Sequence, residues 1–95
     1  MTRYQSYDDA LIAGRLALAA ITPLLQKANA PGAEIRVSMD AAPRSSGGFK
    51  FDIHYKTLRV MSLNPEQYSV WGDQTPVHIC QSLSELCDRV KIILF

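Results

Sequence analysis

The sequence predicts one α+β domain over residues 1–95: an N-terminal helix, an antiparallel sheet of three to five strands and a C-terminal helix, both helices lying on one face of the sheet. Three observations carry this. Helical periodicity is confined to the two ends of the chain. The middle alternates apolar and polar residues in short runs separated by turn residues. A chain of 95 residues, 47% hydrophobic and 20% charged, has material for one core.

The first helix starts near Tyr7, because Ser6 followed by Asp9 makes a capping box with aspartate in place of glutamate. At about 100° per residue, Asp8, Arg15, Thr22 and Gln26 share one narrow polar stripe, and leucine, isoleucine and alanine hold nearly all the rest. A helix this apolar needs cover on more than one side. The sequence therefore predicts a homodimer through this helix, or its burial against a second helix or a target. Pro23 has no N–H and predicts a kink or break at Thr22–Pro23, and "NAPG" ends the helix.

Strands follow. "EIRVSMD" (34–40) puts Ile35, Val37 and Met39 on one face, and "GFKFDIHY" (48–55) puts Phe49, Phe51, Ile53 and Tyr55 inward. The next apolar pair, Leu58 and Val60, is one residue out of phase, which predicts a bulge or tight hairpin at 55–57. "NPEQ" is turn chemistry, and "YSVWG" and "PVHIC" read as short strands around "GDQTP". Ser82 and Glu85 form a second capping box, after which Leu83, Leu86, Cys87, Val90 and Leu94 recur at helical spacing. The closing "KIILF" is compatible with helix or strand.

Composition narrows function. Ten basic and nine acidic residues leave a net charge of +1, without the basic excess usual in nucleic-acid-binding domains. The apolar stretch at residues 10–25 has the look of a secretory leader, but Asp8 and Asp9 stand where positive charge is wanted and Arg15 interrupts it. No apolar run reaches membrane-spanning length without a charge, so the expectation is a cytoplasmic protein that uses no membrane. Cys80 and Cys87 read as reduced thiols packed as small apolar residues. With His78 they make three possible metal ligands, yet no C-x-x-C or paired-histidine spacing accompanies them, and no metal or cofactor is expected. "RSSGG" lacks phosphate-loop spacing and opens a strand, not a helix. With no nucleophile motif or carboxylate pair, no enzymatic activity is expected.

Binding on the open sheet face remains. Alternation puts Glu34, Arg36, Ser38 and Asp40, then Lys50, Asp52, His54 and Lys56, then Thr57, Arg59 and Met61 on that side, a face of mixed charge. The element order over residues 7–94 resembles the double-stranded-RNA-binding domain, in topology only. That family grips phosphates with a lysine-rich start to its second helix. The matching stretch here, "SLSELCDRV", holds Glu85 and Asp88, so nucleic acid is not the favoured partner. The expectation is a small protein-binding module that occludes a partner's surface through Arg44, Lys50, His54, Lys56, Arg59 and Trp71. In size and character it is like phage-encoded inhibitors of host defence such as anti-CRISPR proteins. The alternative is nucleic-acid binding through Arg36, Lys50, Lys56 and Arg59.

Overall fold

A computed structural model describes residues 3–95. The order is α1 (Tyr7–Ala28), β1 (Val37–Pro43), β2 (Phe49–Tyr55), β3 (Leu58–Asn64), β4 (Gln67–Trp71), β5 (His78–Cys80) and α2 (Leu83–Leu94). The strands form one sheet in sequential order, every neighbouring pair antiparallel. This is the α+β fold that the alternation and the terminal helices predict, with the strand number at five.

Both caps form. The Ser6 hydroxyl accepts from the Asp9 amide at 3.1 Å, and Ser82 accepts from the Glu85 amide at 3.1 Å. The Glu85 carboxylate reaches one residue beyond the cap and accepts from the Gln81 amide at 2.5 Å. The closing residues of the chain are helical through Leu94, which resolves the "KIILF" ambiguity.

Of the kink or break expected at Thr22–Pro23, the break does not occur: helix α1 runs through Pro23. Pro23 and Ala19 are both exposed, so water can satisfy the Ala19 carbonyl that loses its helical donor. Thr22 donates its hydroxyl to the Leu18 carbonyl at 2.6 Å beside it. At the helix end, Asn29 takes a hydrogen bond from the Tyr55 hydroxyl at 3.1 Å and donates to the Ala33 carbonyl at 2.9 Å.

One core lies between the helices and one face of the sheet. Ala10, Ala17, Ile21 and Leu25 of α1 and Leu86 and Val90 of α2 meet Phe51, Ile53, Tyr55, Leu58, Val60, Val70 and Cys80. Strand β1 begins three residues later than "EIRVSMD" suggests. Its pairing opens at Val37 opposite Tyr55, where β2 ends, and runs to Pro43 opposite Phe49. The expected hairpin at 55–57 exists: Tyr55 pairs with Leu58 across Lys56 and Thr57, with Lys56 at φ 51. A register shift absent from the sequence reading falls between Met61 and Asn64 on β3.

That shift is held by a buried polar cluster. Tyr4, which bridges to Phe49 ahead of α1, lies 2.7 Å by its hydroxyl from the Ser62 hydroxyl. Ser62 has one proton to give, and the Asn64 and Gln67 carbonyls both stand 2.8 Å away. Tyr4 therefore donates to Ser62, and Ser62 donates to the carbonyls of the β3–β4 turn.

Candidate functional site

The second face of the sheet carries no helix, and the strand registers align its side chains in rows. One row runs Ser38, His54, Arg59 and Trp71 across β1 to β4. The next runs Asp40, Asp52, Met61, Ser69 and Ile79 across all five strands. Paired residues in such rows have Cβ atoms about 4.5–5.5 Å apart, so each row is one contiguous surface.

Four of the six sequence-predicted residues gather at the β2–β3 hairpin end. His54 and Lys56 line a shallow depression of about 330 Å³ with Arg36, Val37 and Ser38. Arg59 and Trp71 line a second, of about 360 Å³, with Thr57, Gly72 and Asp73. Among the described residues lining these two depressions, Arg36, Lys56 and Arg59 are the cations and Asp73 is the one acid. Trp71, whose side the sequence leaves open, sits half-buried on this face, because its neighbour Val70 is fully buried opposite.

The hairpin orders its own cations. Arg59 donates Nη1 to the Leu58 carbonyl at 2.9 Å and also to the Lys56 carbonyl. Its guanidinium is thereby tied to the turn, leaving a planar, preorganised cation beside Trp71. The Lys56 ammonium lies 5.3 Å from the Tyr55 ring centroid.

Arg44 and Lys50 belong elsewhere. They line a third depression, of about 370 Å³, with Pro43, Ser45, Ser46, Met61 and Leu63 at the far end of β2. Four residues of strand separate Lys50 from His54, about 13 Å. Lys50 is engaged by Asp52 at 3.3 Å. The Arg44 loop is tied at several points. The Arg44 amide donates to the Gly48 carbonyl at 3.0 Å, Gly47 donates to the Arg44 carbonyl at 3.1 Å, and Arg44 Nη1 reaches the Leu63 carbonyl at 3.4 Å. Arg3 holds the loop from the N-terminal side through the Ser46 carbonyl at 3.2 Å. Gly47, at φ 99, leaves the space that Arg3 Nη1 fills, since a Cβ there would lie 2.6 Å from it.

Between the two ends, Asp40 and Asp52 stand directly opposite each other. Like charges in register oppose β1–β2 pairing, and Lys50 offsets one of them. The face is therefore cationic at the hairpin and acidic at mid-sheet. Arg36 joins the hairpin cluster although the protein-binding set omits it. The signal was available: Arg36 precedes Ser38 by two and alternates onto the same side.

The cysteines lie on the core side. Burial pushes the Cys80 thiol above its ordinary value, with Glu85 adding to the shift and Arg89 opposing it. Burial does the same to Cys87, opposed by Lys91 and assisted by Asp88. A raised thiol holds less thiolate at neutral pH and is a weaker nucleophile and metal ligand. Cys87 points at α1, its Sγ 3.6 Å from the Ala20 carbonyl. Among the described residues, no group of three or more His, Cys, Asp or Glu side chains is placed to hold a metal ion, and no helix is long and apolar enough to cross a membrane. Comparison with protein families, with curated proteins and with solved structures finds no match to this chain.

Proposed function

We propose that this chain is a non-catalytic protein-binding module whose working surface is the hairpin end of the open sheet face. The observation that carries the reading is the cross-strand row of His54, Arg59 and Trp71, flanked by Arg36 and Lys56. Tryptophan and arginine are residue types enriched among interface hot spots, and here a half-buried tryptophan stands beside a tethered arginine. Three cations against one acid select a partner surface with exposed carboxylates. The module acts by occupying that surface, as a small phage-encoded inhibitor of host defence would, and it works in the cytoplasm, where its free thiols stay reduced.

Affinity capture with the full chain from a host lysate tests this. The protein enriched by the wild type is expected to be lost with Trp71→Ala and with Lys56→Glu, each by roughly 30-fold in affinity, the size of a hot-spot loss. Lys50→Ala, at the other end of β2, is expected to change capture by less than about 3-fold. No enriched protein, or a protein indifferent to both hairpin substitutions, would sink the proposal.

Nucleic-acid binding is the second reading, favoured by the convergence of Arg36, His54 and Lys56 on one depression. Against it stand the paired Lys50 and the facing Asp40 and Asp52. It requires a gel shift at low salt that fades steeply as salt rises.

A further inference from the structure

The opposite side of the molecule carries a separate feature. Along α1, Ile12, Leu16, Ala19 and Pro23 are all exposed, Ile12 at 56% and Leu16 at 60%. Their spacing is four, three and four residues, the repeat of a coiled-coil seam. At about 100° per residue they fall within about 60° of one another, on the side of α1 facing away from buried Ala10, Gly14, Ala17, Ile21 and Leu25. Helix α2 covers the flank of α1 at Ala20, where Cys87 touches it, and leaves this seam bare.

The charges beside the seam say what fits it. Asp9 and Lys27 are eighteen residues apart, five turns at about 3.6 residues each, so both stand on the same flank about 27 Å apart along the axis. The midpoint of Asp9 and Lys27 is residue 18, and the midpoint of Ile12 and Pro23 lies between residues 17 and 18. One two-fold axis therefore serves both the apolar seam and the charges.

We infer that α1 pairs antiparallel with α1 of a second copy of this chain, about a two-fold axis near residue 18. Ile12 then lies over Pro23 of the other copy, Leu16 over Ala19, and Asp9 beside Lys27, twice over. This is the self-complementarity that a two-fold interface requires. A parallel pair would instead bring the acidic first turns, Asp8 and Asp9, together and align the two helix dipoles. In the antiparallel pair the two Arg15 side chains share a flank but are offset by about 9 Å along the axis, near the screening length at physiological salt. Phe95, 63% exposed and 5.9 Å from Lys27 Nζ, widens the apolar surface at the end of the seam.

The seam is about 17 Å long and one helix wide, smaller than the roughly 800 Å² per partner of a standard interface. The pair is accordingly weak and transient, as interfaces at the small end of the range are. It leaves both open sheet faces outward, so the dimer presents two binding surfaces and gains avidity on a multivalent target.

Sedimentation velocity of the full chain from about 5 μM to about 1 mM tests the pairing. The mass is expected to rise from monomer towards dimer across that range. Leu16→Glu is expected to hold it at monomer throughout, with an unchanged thermal midpoint at the lowest concentration showing that the fold is intact. Asp9→Lys and Lys27→Asp are each expected to weaken the dimer at least about 3-fold, and the double exchange to restore it. A monomer at 1 mM, a dimer insensitive to Leu16→Glu, or a double exchange that fails to restore association would overturn the inference. So would a monomeric chain whose capture of another protein is abolished by Leu16→Glu, an outcome that assigns the seam to that partner.

Discussion

Tyr4 shows how much one residue outside any regular element can organise. It is 3% exposed, and its hydroxyl reaches across the core to Ser62 at the point where β3 changes register. Removing the hydroxyl in Tyr4→Phe takes a donor from a buried acceptor while leaving the ring and its tilted contact with Phe51 in place. The expected loss is about 1–2 kcal/mol of unfolding free energy, read from urea denaturation. A variant as stable as the wild type would mean that Ser62 is satisfied by the turn carbonyls alone. Nothing in the sequence marks Tyr4: it precedes the helix cap by two residues in a polar segment, and its partner is 58 positions away. The hairpin cluster is half legible for a related reason. Alternation places Arg36, His54, Lys56 and Arg59 on one side, but the distance between His54 and Lys50 becomes a functional distinction only when the strands are registered.

At the scale of elements, α1 illustrates packing overriding intrinsic preference. Glycine in mid-helix costs about 1 kcal/mol relative to alanine, so propensity alone favours Gly14→Ala. The structure reverses the sign. A Cβ at Gly14 would lie 2.8 Å from Met39 Sδ and 3.1 Å from the Phe51 ring. Met39 can shift, but Phe51 is fully buried against Tyr4 and Tyr68. We expect Gly14→Ala to be destabilising by about 1 kcal/mol net, overpacking of roughly 1–3 kcal/mol being partly offset by helix propensity. A rise in the denaturation midpoint would show that the sheet withdraws from α1 at no cost. The caps, both helices and an antiparallel sheet of three to five strands were legible because each rests on neighbouring residues; the number five came from the structure. Continuity through Pro23 was not, because it depends on which side of α1 faces water.

For the whole molecule, the predicted consequence is a pH dependence. Burial raises the Tyr4 phenol, and raises Tyr68, Cys80 and Cys87 as well. Each folded value lies above the unfolded one, so the folded state holds its proton where the unfolded state begins to lose it. The stabilising contribution is complete below the unfolded values, about 8.5 for cysteine and about 10 for tyrosine, and is lost as pH climbs through the folded ones. The denaturation midpoint is therefore expected to fall as pH rises above about 8.5, and to fall less in Cys80→Ala. A midpoint that stays level or rises over that window would contradict the burial of these groups.

Periodicity and local hydrogen bonding were enough to specify the fold class, the helix starts, the alternating strands and an N-terminal helix with more apolar surface than one sheet can cover. Which polar residues share a surface, and which apolar ones stay bare, depended on how the elements pack. Strand register joined His54 to Arg59 and Trp71 and parted them from Arg44 and Lys50. The placement of α2 beside Ala20 left Ile12 and Leu16 in solvent. Both outcomes turn on contacts between residues far apart in the chain, and no local pattern encodes those distances.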